Sequence, residues 1–362
     1  MISWLLSISV LGLLVLVHEA GHFVVARWLG VRVTRFSIGF GRVLFRWTRG
    51  ETEYAVSALP LGGYVKMAGE HRHEQTHAPW EFLSKPAGVR AGIILAGPLV
   101  NHLVSVLTLW VVLVIGYPEL LPTVGRVVDD MPAKTAGMLI GDRIHAVNGQ
   151  PIRTWDELTD NVHRSPGKPL AFDVERQGRR LTVEVTPVSK AIMDPFGRPK
   201  QVGLVGVAPS GAFETRKIPP REAVRATIEK QVEWTGQIAL SLWSLATGRV
   251  SMQDSLTGPI GIVYMTSEAA KMGLGSLLYL VSLFSLSLAV FNLFPIPILD
   301  GGHLLFLALE KLRGRPLSLQ VQEKAAQVSF AVLMLLAVFV CANDLQRLGV
   351  LEKLQQWVQP SE

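Results

Sequence analysis

The pentapeptide His18-Glu19-Ala20-Gly21-His22 brings three chemically active side chains into one turn of an apolar segment. Residues four apart lie on one face of a helix, so His18 and His22 can hold one metal ion between their imidazoles. Histidine pairs at this spacing bind zinc, at about 2.0–2.1 Å from each nitrogen. Glu19 lies beside them and can take a proton from a water that the metal activates. The motif predicts a catalytic zinc centre.

The setting of this motif strengthens the prediction. The pattern occurs by chance in soluble sequences, and the alternative is a set of polar side chains satisfied inside a helix bundle. Here it lies in a predominantly apolar segment, Ile2 to Ala26, which is long enough to cross a bilayer because about 20 helical residues suffice. Ionisable side chains are costly in such a segment and mark a functional site by default.

A third donor is needed, since a catalytic zinc site has three protein ligands and one open position. Asp300 is the best candidate, because Pro295 and Pro297 break the third apolar span just before it. The backbone groups freed by a broken span must be buried in protein or line a wet cavity, where a carboxylate can face the metal. His303 and Glu310 are the alternatives, and His303 fits better as a residue that supports the ligands.

Four segments are long and apolar enough to span a membrane, at about residues 2–26, 92–116, 274–294 and 325–342. The mean hydropathy of +0.33 and a charged content of 18% also indicate a membrane protein. The net charge of +6 could suggest nucleic-acid binding, but the basic residues flank the apolar spans and form no stripe with aromatic residues. We therefore predict no nucleic-acid partner. The single cysteine, Cys341, excludes an internal disulfide.

The basic residues predict the orientation of the spans, because cytoplasmic loops are rich in lysine and arginine. Residues 32–90 and the connection between the third and fourth spans are basic, which predicts that both are cytoplasmic. Both termini and residues 117–273 are then outside.

The outside segment begins with a predicted compact α/β module at residues 122–188. It has strand-like stretches, a helix near Trp155 and a final hairpin around Gln177-Gly178. Residues 190–220 are rich in proline and glycine and are interpreted as a linker. Residues 221–247 have apolar side chains at helical spacing, which predicts an amphipathic helix on or near the membrane.

A β region is predicted between the first two spans, where residues 35–67 form short strand-like stretches. The alternative is a soluble cytoplasmic hairpin. A protease must meet its scissile peptide extended, and a free strand edge can supply the hydrogen bonds that an unwound helix loses. We predict that residues 52–58 offer this free edge.

Two further motifs accompany the predicted metal site: Ala96-Gly97-Pro98-Leu99-Val100-Asn101 in the second span and Gly258-Pro259-Ile260-Gly261 before the third. With HExxH in the first span and Asn-x-x-Pro-x-Pro-x-Leu-Asp-Gly ending at Gly301, the sequence resembles the site-2 protease family of intramembrane zinc metalloproteases, most closely its bacterial branch of RseP and RasP type. By this resemblance the zinc ligands are His18, His22 and Asp300, and Glu19 is the catalytic carboxylate. Asn292 is implied to place the substrate or the developing oxyanion.

The resemblance implies a polytopic α-helical membrane protein with four transmembrane helices, a membrane-associated β region and an extracytoplasmic α/β PDZ-like domain. Some relatives carry two PDZ-like domains, whereas one is visible here. The expected divisions are 1–30 (helix 1), 31–90 (cytoplasmic-side β region), 91–117 (helix 2), 122–188 (PDZ-like domain), 189–273 (linker and amphipathic helix), 274–298 (helix 3), 325–342 (helix 4) and 343–362 (extracytoplasmic tail).

The implied function is regulated intramembrane proteolysis of single-pass membrane proteins in the bacterial inner membrane, with Zn²⁺ as cofactor. The implied substrates are of anti-sigma-factor type or remnants of signal peptides. The alternative function is a non-proteolytic membrane scaffold with a structural metal, against which Glu19 argues because a structural site needs no base. For Asn101, a hydrogen bond between helices and a substrate contact are equally consistent with the sequence. His102 is interpreted as structural.

Overall fold

The computed structural model describes residues 2–71, 74–193, 199–250 and 256–347. The chain divides into two compact units. The first comprises Met1–Val111, Val224–Leu242 and Ser251–Glu362, and the second comprises Val112–Ala223 and Trp243–Val250.

Helices and strands are numbered here in chain order. The helices are α1 (Ile2–Trp28), α2 (Ala87–Ile115), α3 (Pro132–Thr135), α4 (Trp155–His163), α5 (Pro220–Ala246), α6 (Pro259–Lys271), α7 (Leu274–Asn292), α8 (Asp300–Arg313) and α9 (Leu319–Arg347). The strands are β1 (Val33–Arg49), β2 (Thr52–Met67), β3 (Tyr117–Leu120), β4 (Val124–Val127), β5 (Arg143–Val147), β6 (Gln150–Pro151), β7 (Leu170–Arg176), β8 (Arg179–Val185), β9 (Val188–Met193), β10 (Pro199–Leu204), β11 (Val207–Pro209) and β12 (Phe213–Arg216).

Four helices of the described chain, α1, α2, α7 and α9, are long and apolar enough to cross a membrane. They correspond to the four predicted spans, with different ends. Helix α2 begins at Ala87, five residues before the predicted start, and α9 covers Leu319–Arg347 where residues 325–342 were predicted. Hydropathy marks only the apolar part of a helix, while backbone hydrogen bonding continues through the polar turns at its ends.

Helix α1 is positioned by close backbone contacts, and it also packs against β2, α6 and α7. A Cβ atom added at Gly21 would lie 2.7 Å from the carbonyl oxygen of Ala96 on α2. A Cβ atom added at Gly12 would lie 3.0 Å from the carbonyl oxygen of Pro60 on β2. These two glycines therefore let α1 approach its neighbours more closely than a side chain would allow.

Strands β1 and β2 form a long hairpin with several register shifts. Residues 46–49 of β1 pair with residues 52–55 of β2 beside the turn, as Trp47 opposite Tyr54 illustrates. The same segment of β2 also lies opposite the start of β1, where Tyr54 faces Phe36 and Ala55 faces Ser37. The start of β1 pairs on its other side with residues 63–67 of β2.

This pairing corrects the predicted free edge. Residues 53–56, within the predicted edge at 52–58, are paired on both sides and lie inside the sheet. The outer segments are instead residues 43–49 and residues 63–67. The hydrophobic pattern indicates that a stretch is a strand, but its neighbours are chosen by register over longer distances, which the pattern does not specify.

The second unit contains the predicted α/β module. Its four-stranded sheet has the order β6-β5-β7-β8, and Phe172 and Val174 of β7 are fully buried in its core. Helix α4 begins after Thr154, whose side chain accepts a hydrogen bond from the Glu157 amide. Gln177 and Gly178 both have positive φ, 50° and 78°, as a tight hairpin turn between β7 and β8 requires.

The linker predicted at residues 190–220 is wrong where the structure describes it. This stretch contributes to β9 and contains β10, β11 and β12, of which β11 pairs with β4 and β12 pairs with β3. Val202 and Val205 are buried at 2% and 5% exposure. Short strands joined by glycine and proline turns have the composition of a linker, and only their pairing partners distinguish them. The helix predicted to follow is present as α5.

Candidate metal centre

Three side chains from two helices converge inside the first unit. Helix α1 presents His18 and His22, which are 7% and 8% exposed and whose Nε2 atoms lie 3.1 Å apart. Asp300, the first residue of α8, has its Oδ2 atom 3.1 Å from Nε2 of His18 and 3.5 Å from Nε2 of His22. In the described part of the chain, these residues form the group whose potential metal-ligand atoms all lie within 4.8 Å of one another.

The geometry of this group fits a zinc ion. Ligand atoms about 2.0–2.1 Å from a tetrahedral zinc are about 3.3 Å apart, close to the three distances observed. His22 Nδ1 lies 2.8 Å from the Ile93 carbonyl oxygen, which can only accept, so Nδ1 carries the proton and Nε2 offers a lone pair. Asp300 Oδ2 is buried and has no hydrogen-bond partner among the residues described. Three atoms with free lone pairs facing one another are explained by a cation between them.

Gly97 of α2 leaves the space that such an ion requires. A Cβ atom at this position would lie 2.4 Å from Nε2 of His22 and 2.7 Å from Nε2 of His18. Any other residue would therefore place its side chain against the metal-facing nitrogens, so the backbone of α2 forms one wall of the centre.

Asp300 is placed by the break between α7 and α8. Helix α7 ends at Asn292, and α8 begins at Asp300 after the segment with two prolines. Cβ atoms added at Gly301 and Gly302 would lie 2.3 Å from the carbonyl oxygens of Leu293 and Ile296, respectively. The two glycines thus let the connecting turn fold against the start of α8, which fixes the position of the preceding carboxylate.

Glu19 lies between the metal centre and the outer segment of β2. Its Oε2 atom accepts a hydrogen bond of 3.1 Å from the Val65 amide. A Cβ atom added at Gly63 would lie 3.8 Å from Cγ of Glu19, so residues 63–65 run alongside this side chain. Glu19 is half-buried and follows His18 directly on α1. Sequence reasoning did not identify the Val65 contact, because it depends on the register of β2.

The other candidate residues lie outside the group of three. Glu310 pairs with Arg90, whose Nη2 donates at 2.5 Å, and the exposed His303 ring contacts Phe306. Asn292 is the last residue of α7 and is half-buried, so its role stays a prediction. His102 is half-buried on α2.

Asn101 is fully buried and lies against His18, with its amide nitrogen 3.3 Å from Nδ1. Burial favours the hydrogen bond between helices over the substrate contact. Gly97 and Asn101 are four residues apart and share one face of α2, but the spacing does not show that this face meets His18.

Comparison with known proteins identifies the family of this chain. The family model described as peptidase family M50 matches residues 6–336. A protein of Rhizobium meliloti is 36% identical over 92% of this chain and 94% of its own length. Zinc metalloprotease RasP of Geobacillus kaustophilus is 30% identical over 94% of this chain and 97% of its own length. Regulator of sigma-E protease RseP of Escherichia coli is 32% identical over 94% of this chain and 98% of its own length. This chain therefore belongs to peptidase family M50, the site-2 proteases, and is a membrane-embedded zinc metalloprotease.

Proposed function

We propose that this chain cuts transmembrane segments of other proteins, with zinc held by His18, His22 and Asp300 and with Glu19 as the catalytic carboxylate. The observation that carries the proposal is the convergence of three donor atoms, at 3.1, 3.1 and 3.5 Å from one another, beside a glutamate inside the first unit. Two donors and the glutamate belong to a helix long and apolar enough to span a membrane, which supports cleavage inside the bilayer.

Zinc, when bound, supplies a Lewis acid that polarises the scissile carbonyl and makes a water more acidic. Glu19 accepts the proton of the attacking water and returns it to the nitrogen of the leaving chain. The Val65 amide holds one carboxylate oxygen of Glu19, so the other oxygen can face the water. Because His18 and His22 are buried, the neighbouring apolar side chains restrict bulk water near the reacting groups.

Asn292 is proposed to position the substrate. It ends α7 eight residues before Asp300, at the break between the two helices. Its side-chain amide can donate to a main-chain carbonyl of the substrate or to the oxyanion that develops during attack.

The outer segment of β2, residues 63–67, is proposed to bind the unwound substrate as an added strand. The Val65 amide donates to Glu19 and the Met67 amide donates to Glu70, so both amides point away from β1. Alternate amides of an outer strand face away from the sheet, where another chain can pair with them in place of these carboxylates. Since a helix hides its peptide carbonyls in its own hydrogen bonds, pairing with this segment compensates for unwinding close to Glu19.

The proposed substrates are single-pass membrane proteins, either of anti-sigma-factor type or remnants of signal peptides. The name of the relative RseP, a regulator of sigma-E protease, supports the first class.

We also propose the following division of the chain: helix 1 (α1), a cytoplasmic-side β region between α1 and α2, helix 2 (α2), a PDZ-like domain (from 122, extended beyond 188 by β9 to β12), the amphipathic helix α5, helix 3 (α7) and helix 4 (α9). The PDZ-like domain and both termini are assigned to the outside of the bacterial inner membrane. The β region has exposed apolar side chains, Leu44, Phe45 and Leu59 among them, which suit contact with lipid.

The orientation predicts which positions an impermeant thiol reagent can reach in intact cells. With Cys341 replaced by serine, a cysteine at Arg49 or Arg313 should be protected, because the basic loops lie in the cytoplasm. A cysteine at Gln177, in the β7–β8 turn, should react. Labelling at Arg313 from outside would reverse the assignment.

The direct test of the function is cleavage of a single-pass substrate by the purified protein. About one zinc per chain is expected, and a chelator should remove both the zinc and the cleavage. Added zinc should restore both. Cleavage that persists after all zinc has been removed would contradict the proposal.

A further inference from the structure

We propose that Asn101 is a positioning residue for the metal centre, which holds His18 in the orientation and tautomer that present Nε2 to zinc. The inference rests on the proposed ligand set of His18, His22 and Asp300. It adds a residue from α2 that acts through His18.

The His18 ring needs an acceptor on the side opposite the metal. Its Nε2 atom faces the other two donors, at 3.1 Å from each. A neutral imidazole that offers Nε2 as a lone pair carries its proton on Nδ1. For His22 the corresponding acceptor is the carbonyl oxygen of Ile93, at 2.8 Å. For His18 the neighbouring group is the side-chain amide of Asn101, at 3.3 Å.

The two ends of the Asn101 amide have nearly the same shape, so a half-turn exchanges its nitrogen and oxygen. With the nitrogen facing His18, two donors meet when zinc is bound, and Oδ1 is buried with no hydrogen-bond partner in the described chain. With the oxygen facing His18, Oδ1 accepts the Nδ1 proton. The second orientation removes the buried unpaired oxygen and fixes the tautomer of His18 in one step.

Asn101 is itself held rigidly between helices. Ser285 on α7 donates to the Asn101 main-chain carbonyl at 2.7 Å. One turn farther along α2, Ser105 donates to the Ser282 carbonyl at 2.7 Å, and Ser282 donates back to the Ser105 carbonyl at 2.8 Å. Gln231 on α5 donates to the Ser105 hydroxyl at 2.8 Å.

All four residues on α2 and α7 that form this buried column, Asn101, Ser105, Ser282 and Ser285, are fully buried. Polar groups are costly to bury unless they are hydrogen-bonded, so the bonds within this column are strongly favoured. They fix the α2 backbone at Asn101, whose side-chain amide lies against His18.

The test uses the full-length purified protein and measures zinc affinity by competition with a chelator. Asn101→Leu has a similar size and no acceptor, and it should lower zinc affinity about 10- to 100-fold, as loss of a partner of a ligating histidine does. Asn101→Asp keeps an acceptor oxygen at the same place and should stay within about threefold of the wild type. Cobalt-substituted Asn101→Leu should also show a changed visible spectrum, because the His18 ring is no longer fixed.

Thr266→Val is the control, since it loses a buried hydrogen bond, from the Thr266 hydroxyl to the Ile262 carbonyl, that involves neither this column nor a ligand. It should lower the Tm of the zinc-free protein and leave zinc affinity unchanged. If Asn101→Leu does not fold, Asn101→Ser, which is polar but too short to reach Nδ1, replaces it.

The inference is overturned if the variant without an acceptor binds zinc as the wild type does, or if Asn101→Asp loses as much affinity as Asn101→Leu. His18→Ala separates this failure from failure of the proposed function. If His18→Ala keeps wild-type zinc affinity, the ligand set is wrong. If only His18→Ala loses zinc and Asn101→Leu does not, the ligand set stands and the positioning role fails.

Discussion

Glu19→Gln is expected to retain zinc at the wild-type level and to lose nearly all cleavage. Glutamine has the shape of glutamate and can still contact Val65, but it cannot take a proton from water. General-base catalysis contributes about 10²- to 10⁴-fold, so cleavage of a transmembrane substrate should fall by at least 100-fold. Zinc content by elemental analysis and the initial rate of cleavage are the two measurements.

Ligand variants provide the contrast for this experiment. His22→Ala and Asp300→Ala should lose zinc and cleavage together, because each removes a donor atom. Glu310→Ala, on the same helix as Asp300 but paired with Arg90, should retain zinc. Full zinc occupancy in Asp300→Ala would exclude Asp300 as a ligand. Cleavage by Glu19→Gln within tenfold of the wild type would assign the base to another group.

Proline at Val65 is expected to weaken substrate binding while the sheet stays intact. The Val65 amide points away from β1, so its loss removes no hydrogen bond between β1 and β2. Proline at Tyr54, which lies opposite both Phe36 and Trp47, should instead destabilise the β region. The Tm of each variant distinguishes these two effects.

The role of Val65 in substrate binding must be separated from its contact with Glu19. In the Glu19→Gln background almost no cleavage is expected, so capture of intact substrate can be measured by itself. Adding Val65→Pro should weaken capture about 10-fold, the effect of losing roughly 1.4 kcal/mol of main-chain hydrogen bonding. Equal capture by Glu19→Gln and the double variant would show that Val65 only orients Glu19, and that the substrate pairs elsewhere.

The sequence predicted the grouping of His18, His22 and Asp300 better than it predicted the pairing within the β region, and the difference has a physical basis. His18, Glu19 and His22 are related by the period of one helix, so their arrangement follows from local geometry. The proline break before Asp300 is also local and made this residue the best candidate, with His303 and Glu310 as the alternatives. By contrast, residues 53–56 became an interior segment because two distant parts of β1 pair with them.

The contact of Asn101 with His18 was also beyond prediction from spacing alone. It depends on how closely α1 and α2 approach, and that distance is set by Gly21 against Ala96 and by Gly97 against the histidines. Each glycine is visible in the sequence, but which backbone it meets is a property of the packed bundle. The strands within residues 190–220 were missed for the same reason. β11 and β12 are recognisable as strands only because they pair with β4 and β3, respectively.

The positions of the three proposed zinc donors along the chain also determine when this protease can become active during its own synthesis. His22 and Asp300 are separated by 278 positions of the chain, since 300 minus 22 is 278. At about 5–20 residues per second, a ribosome needs roughly 14 to 56 s to add them. During that interval the nascent chain already carries the glutamate and two of the three donors, and two imidazoles alone do not complete a catalytic zinc site. With the proposed ligands His18, His22 and Asp300, the enzyme is inert until α8 has joined the bundle.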